Sequence, residues 1–330
     1  MKQRLFKQVD VFTATPYFGN PLAVVLDGSG LSDDEMQRFA RWTNLSETTF
    51  LLPPTDPSAD YRVRIFTPGG ELPFAGHPTL GSCHGWLQAG GQPQGDVIVQ
   101  QCEAGLVRIR REPALQRLAF AAPPLRRSAP DPALLAGVMQ ALGIKPEQVL
   151  ASQNLDNGPV WLTLLLGSVD TVLALTPDLS ALGRLKADVG IAALYPAQAA
   201  PPLIARANRE ARAFTAPTLA TTCAALPPEG AGLAWGGPAR RPSDADFDTP
   251  DLEVRGFAVD MGVNEDPVTG SLQAGLAQWL IAEGRLQAPY LASQGACLGR
   301  AGLVYVECDG QGQVWVGGDS VTCVEGQVLL

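Results

Sequence analysis

The sequence predicts an α+β protein made of two related halves. Three observations carry that expectation. The chain has 330 residues, more than one hydrophobic core ordinarily organises. Short apolar, β-prone runs alternate with turn residues, drawn from 35 glycines and 28 prolines, and with a few capped helical stretches. One pattern also occurs twice. Val63-Arg64-Ile65-Phe66 leads through a loop to His77-Pro78-Thr79-Leu80-Gly81-Ser82. Val254-Arg255-Gly256-Phe257 leads, through a loop two residues shorter, to Asp266-Pro267-Val268-Thr269-Gly270-Ser271. The shared form, V-R-x-F then [HD]-P-x-x-G-S and a helical apolar stripe, points to a duplicated unit.

The elements follow in order. Val9–Phe12 is an apolar strand, Gly19-Asn20-Pro21 a turn, and Leu22–Leu26 a second strand. Ser32 caps a helix as part of a capping box with Glu35, and Met36, Phe39 and Ala40 form its buried stripe. Strands are expected over Thr48–Leu52 and Tyr61–Phe66, the latter alternating with Arg62 and Arg64 on one face. Pro78 opens a helix whose apolar side carries Leu80, Cys83, His84 and Leu87, with His84 expected as a packed structural histidine. Val97–Val99 and Leu106–Ile109 form a hairpin, and the proline-rich Ala121–Pro130 is the expected linker. Asp131-Pro132 starts a helix ending near Gly143, and Asn157-Gly158-Pro159 precedes the apolar strand Val160–Leu166. The Ala/Pro/Gly-rich stretch 197–248 breaks the parallel and is expected to be a loop-bearing insertion.

Composition excludes several classes of function. Hydrophobic residues make up 46% and charged residues 17%, ample for packed cores. The net charge of −9 and scattered basic residues argue against a nucleic-acid partner. No apolar run approaches the ~18 residues of a membrane helix, and Lys2, Arg4 and Lys7 are not followed by a signal-like apolar region. A cytoplasmic protein without a membrane partner is therefore expected. The six cysteines (Cys83, Cys102, Cys223, Cys297, Cys308, Cys323) include no CxxC pair, and two histidines are too few for the usual zinc frameworks. No metal and no cofactor is expected, since P-loop, dinucleotide, GxSxG and HExxH motifs are all missing.

Chemistry concentrates in and near the repeated motif. A helix beginning x-Pro-x-x-Gly-Ser offers unpaired N–H groups and a positive dipole end, which suit a carboxylate. Two such starts facing each other would hold a small anionic metabolite between the halves. His77 and Asp266 stand at equivalent points of the motif and offer proton donors and acceptors, although each taken singly also serves as a helix cap. Glu47 opens the β-prone run Thr48–Leu52; on the solvent face it is ordinary, but facing a cleft it would be desolvated into a competent acid/base.

The chain resembles the phenazine-biosynthesis isomerase-like family, which shares the diaminopimelate epimerase fold. The resemblance lies in Val9–Phe12, Gly19–Val24, Leu45–Phe50, Arg64–Pro68, Glu71–Thr79, Glu265–Ser271, Gln294-Gly295 and Gly299-Arg300. It implies two pseudo-symmetric domains, each a barrel-like, mostly antiparallel sheet around a central helix. Expected boundaries are 1–125 and 126–314, with a last strand near 315–330 completing the first domain. The resemblance also implies that Glu47 is the principal acid/base, that His77, Asp266 and Ser271 are the other polar active-site residues, and that N–H groups at Gly76 and Gly270 bind the substrate carboxylate. Leu272-Gln273 replaces the family's small residue and His, and Val259 its proline. The matching helix starts lack the cysteine pair of the fold's racemases.

A cofactor-independent isomerase that moves a proton on a small carboxylate is thus expected, as a homodimer. A racemase or epimerase acting at one carbon, and a non-catalytic carboxylate-binding protein, are the alternatives.

Overall fold

The computed structural model describes residues 1–112, 117–196 and 249–330; the stretch 197–248, expected as an insertion, lies outside them. The first half runs through β1 (Gln3–Val11), β2 (Asn20–Val25), α1 (Asp33–Thr43), β3 (Glu47–Leu52), β4 (Tyr61–Phe66), β5 (Glu71–Leu72) and α2 (Gly76–Gln88). It continues with β6 (Val97–Cys102), β7 (Gly105–Glu112) and β8 (Arg117–Ala121). The second half holds β9 (Arg126–Ser128), α3 (Pro132–Leu142), β10 (Val149–Asp156), β11 (Val160–Leu166), α4 (Val169–Ala174) and α5 (Leu179–Leu185). Then follow β12 (Asp188–Leu194), β13 (Leu252–Ala258), β14 (Val263–Asp266), α6 (Gly270–Ala282), β15 (Tyr290–Gln294), β16 (Gly302–Cys308), β17 (Val314–Gly318) and β18 (Ser320–Leu329).

Strand pairing repeats between the halves. β1–β2 is antiparallel, β2–β3 parallel, β3–β4 antiparallel and β4–β6 parallel, with antiparallel β6–β7 and β7–β8 to finish. β10–β11, β11–β12, β12–β13, β13–β15, β15–β16 and β16–β17 repeat the same orientations. Parallel neighbours need a crossover. In each half the second crossover is the central helix, α2 or α6. The two sheets join edge to edge through antiparallel β8–β17, giving one sheet of 18 strands among the described residues. Each half also receives a strand from beyond its own run: β9 pairs with β10, and β18 returns to pair with β1.

Both central helices are wrapped by sheet. Ten residues of α6 are buried, from Gly270 to Leu280, so its apolar character runs around the helix rather than along one stripe. One core joins α2 and α6 side chains such as Leu80, Cys83, Leu272 and Leu276 to inward-facing strand residues. Smaller clusters lie under α1 and under α3 to α5. The capping box of Ser32 and Glu35 starts α1, and Asp131 and Gly143 (φ 68°) bound α3. His84 packs as expected, with Nε2 3.0 Å from Thr322 Oγ1.

Two expectations need correcting. The proline-rich stretch Ala121–Pro130 is not merely a linker, because Arg126–Ser128 finds backbone partners on β10 and becomes β9. The Asp-Pro motif also does not open a helix. Asp266 ends β14, opposite Gly256, and α6 begins four residues later with Thr269 as its cap. A close backbone approach between the two central helices sets this register: a Cβ added to Gly76 would lie 2.8 Å from the Gly270 Cα. Gly76 and Gly270 are the first residues of two helices of 13 residues each. His77 is therefore the structural counterpart of Ser271, and not of Asp266.

Candidate active site

The site forms where the two central helices begin nearly in contact. By helix geometry, the first-turn N–H groups of Gly76, His77, Gly270 and Ser271 find no carbonyl within their own helices, and both positive dipole ends point to the same place. Glycine is required at the contact, since a Cβ on Gly270 would also lie 3.0 Å from the His77 nitrogen.

β3 supplies Glu47 at its first position, where the parallel pairing with β2 begins at Leu22. Strand alternation turns Glu47 to the same face as Thr49, whose Oγ1 accepts from Ser82 Oγ of α2 at 2.9 Å. Glu47 Oε2 lies 3.4 Å from His77 Nε2, with the carboxylate side chain 15% exposed and the imidazole 3%. The Glu47 carboxyl is thus desolvated yet still open to the cleft. Burial, and secondarily the nearby Asp266 charge, raise its pKa to about 8. Burial pushes the His77 imidazole down to about 3, so it is neutral at physiological pH.

Asn20, first residue of β2, joins the halves. Its Nδ2 donates to Asp266 Oδ1 at 2.8 Å and to the Val268 carbonyl at 2.9 Å, and lies 3.3 Å from His77 Nδ1. Both Nδ2 hydrogens go to those two oxygens, and a donor-only amide nitrogen facing Nδ1 leaves nothing there to accept a ring proton. The ring proton then sits on Nε2, on the side of the ring that lies 3.4 Å from Glu47 Oε2, without hydrogen-bond geometry between them. Ser46 Oγ donates to Asn20 Oδ1 at 3.3 Å. Burial raises Asp266 to about 6, opposed by hydrogen bonds from Thr269 and Asn20. Thr269 Oγ1 is 2.7 Å from Asp266 Oδ2.

Ser271 completes the group from the α6 side. Its Oγ accepts from Trp161 Nε1 at 3.1 Å, and its carbonyl accepts from Asn157 Nδ2 at 2.8 Å. Indole N–H is a donor only, so the Ser271 proton remains available for an acceptor in the cleft. A cavity of about 280 Å³ opens beside the site, with Asn20 and Ser46 on the first-half wall and Asn264, Glu265 and Pro267 on the other. A larger groove, about 400 Å³, lies among Arg62, Glu71 and Glu103 on the outside of the first half and holds none of these groups. Among the described residues, no three His, Cys, Asp or Glu side chains converge as metal ligands.

Glu47, His77 and Asp266 are therefore drawn together, with Gly76, Gly270 and Ser271 at the adjoining helix starts. Sequence reasoning treated Asn20 as a turn residue and overlooked Ser46, Thr269 and Gln294 as site residues. Asn20 had one usable signal, a polar amide within the otherwise apolar opening of β2. The position matching Glu47 in the second half carries Asp188, first in β12 where parallel pairing begins at Trp161.

Comparisons with known proteins identify the family of the chain. A family model described as phenazine biosynthesis-like protein (PhzC-PhzF) matches residues 9–222 and 239–326. The chain is 32% identical to "Antisense-enhancing sequence 1" of Schizosaccharomyces pombe, covering 100% of both sequences. It is also 32% identical to the trans-2,3-dihydro-3-hydroxyanthranilate isomerase of Pseudomonas aeruginosa, over 98% of each. A solved phenazine biosynthesis protein of the PhzF family from Bacillus anthracis superposes with TM-score 0.73 at 20% identity, covering 100% of both chains.

Proposed function

The chain belongs to the phenazine biosynthesis-like family and is an isomerase of that family, and from that premise we propose that it moves a proton between two positions of a small carboxylate, with Glu47 as the carrier. The observation that carries this reading is the Glu47 carboxyl, desolvated against neutral His77 and brought near neutral pH, where both of its protonation states are accessible.

The substrate carboxylate docks on the first-turn N–H groups around Gly76 and Gly270, which leaves its carbon skeleton facing Glu47. Glu47 as carboxylate removes a proton. The C–H bond breaks and its electron pair enters a conjugated system adjoining the acid. Glu47, now protonated, returns the proton to another carbon of that system, so the product has the composition of the substrate. His77 Nε2–H stabilises the carboxylate form before the first transfer and after the second, and ionised Asp266 orients the substrate with Asn20. Ser271 supplies a further hydrogen bond. Transfer between carbons needs one group able to hold a proton, so this chemistry calls for no cofactor. Racemisation by two opposed bases is less well supported, because both Asp266 oxygens already accept hydrogen bonds.

The test uses trans-2,3-dihydro-3-hydroxyanthranilate, the substrate named for the Pseudomonas aeruginosa relative, alongside a panel of unsaturated hydroxy and amino acids in heavy water. The wild type is expected to incorporate deuterium into the acid it converts. Glu47→Gln is expected to lose about 10²- to 10⁴-fold in rate, the usual contribution of a positioned acid/base. Equal incorporation by both proteins would remove Glu47 from the mechanism.

A further inference from the structure

Two partly desolvated carboxyls, Glu47 and Asp266, share this site, and the chemistry depends on which one holds the proton. The hydrogen bonds around Gln294 decide it. Gln294 ends β15 and is 1% exposed. Its Oε1 accepts from the Thr269 backbone N–H at 3.0 Å and from Gln273 Nε2 at 3.0 Å. Its Nε2 donates to the Asp266 carbonyl at 3.0 Å and to Thr269 Oγ1 at 2.8 Å. All four of its hydrogen-bonding positions are thus used, and the backbone donor on Thr269 leaves no choice of amide orientation.

That orientation propagates. Thr269 Oγ1 receives a proton from Gln294 and has one of its own, which it must give to Asp266 Oδ2, 2.7 Å away. The other oxygen, Oδ1, faces the donor-only Nδ2 of Asn20. Asp266 therefore meets donors on both oxygens, an arrangement that suits a carboxylate and leaves no acceptor for a carboxyl proton. Gly295, at φ 99°, lets the chain turn immediately after Gln294; a Cβ there would lie 2.7 Å from the Pro267 carbonyl. Among the described residues, the other charged or titratable groups about Asp266 are Glu47 from β3, His77 from α2 and neighbouring Glu265. Glu265 is neutralised by Arg255 of β13 through bonds of 2.9 and 2.8 Å.

We propose that Gln294 is a positioning residue that, through Thr269, holds Asp266 as an acceptor on both oxygens and so keeps the mobile proton of the site on Glu47. The ionised Asp266 then acts on Glu47 by its charge, adding to the upward displacement that burial gives Glu47. This proposal rests on reading Glu47 as the proton carrier.

The test is a titration of the full-length protein carrying ¹³C-labelled Asp and Glu carboxyls, followed by NMR, with Glu47→Gln and Asp266→Asn to assign the two signals. In the wild type Glu47 is expected to titrate at higher pH than Asp266. Gln294→Met keeps the side-chain length and removes the amide. It is expected to raise the Asp266 midpoint by about one pH unit, the scale of a lost hydrogen bond to the charged form, and to lower that of Glu47. Thr269→Val removes only the hydroxyl and is expected to give the same pair of shifts, with the double variant adding little. Should Gln294→Met fail to fold, Thr269→Val alone decides. Wild-type midpoints in the reverse order, or unchanged midpoints in a folded variant, would overturn the proposal. No turnover is needed, so this outcome is read separately from deuterium incorporation, which tests the isomerase reading itself.

Discussion

Gly76 and Gly270 meet backbone to backbone where the two central helices begin, with room for hydrogen atoms and nothing larger. This contact sets where each helix starts. It also brings two sets of unpaired N–H groups into one small volume.

Replacing Gly270 with Ala should therefore destabilise the protein. Glycine to alanine within a helix ordinarily gains about 0.5–1 kcal/mol. Here the added methyl meets the Gly76 Cα and the His77 nitrogen, and backbone cannot swing aside as a flexible side chain would. A loss of about 1–3 kcal/mol is expected, the usual range for overpacking. Urea denaturation measures it, and an unchanged or higher midpoint would contradict the contact.

Asn20 ties the halves together across 246 positions of sequence. Asn20→Ala leaves Asp266 Oδ1 and the Val268 carbonyl without their shared donor. A loss of about 2–3 kcal/mol is expected, because one orphaned acceptor is charged. Hydrogen exchange should accelerate at the starts of both central helices, and exchange unaltered at α6 would argue against a clamp between the halves.

Arg255 is buried and engages Glu265 bidentately, while its Nη1 donates to the Val172 and Leu175 carbonyls. Arg255→Met should cost about 3–5 kcal/mol, since Glu265 becomes a largely buried charge without its partner. A midpoint shift below about 1 kcal/mol, the scale of an exposed pair, would show that the site is wetter than described.

Stability should fall as pH rises from 7 to 9. Burial raises Glu47 to about 8 and Glu253 to about 7, whereas unfolded glutamates ionise near 4.5. The folded state therefore binds more protons than the unfolded state in this window, and stability declines with pH. The expected fall is about 1–2 kcal/mol, mostly from Glu47. His77 and His84, lowered by burial to about 3 and 4, act in the other direction, and only when pH falls below about 6.5. Chemical denaturation at pH 7, 8 and 9 reads the slope. Glu47→Gln should flatten it, and a slope that is flat or positive in the wild type would refute the desolvation of Glu47.

Much of this was legible from sequence where local chemistry decides structure. The capping box of α1, the Asp131 and Gly143 boundaries of α3 and the β4 alternation follow from short-range rules. The duplication was legible too, but its register was not. His77 and Asp266 align by motif, yet the helices align by the Gly76–Gly270 contact, which no local pattern reveals. Arg126–Ser128 looked like linker because proline density reports turn preference and not the availability of an edge on β10. Glu47 was ambiguous between solvent and cleft until the face of β3 was known. Asn20 and Gln294 were hidden for a different reason: their roles consist of hydrogen bonds to residues far along the chain, and an isolated amide carries no signal of what it will meet.

Deuterium incorporation by wild type and Glu47→Gln tests the central claim most directly. With trans-2,3-dihydro-3-hydroxyanthranilate or whichever acid of the panel is converted, the wild type should place solvent deuterium on a carbon other than the one that lost its proton. Glu47→Gln, folded and still able to bind the acid, should do so at least about 10²-fold more slowly. Incorporation at the same rate in both proteins would contradict the assignment of Glu47 as the carrier.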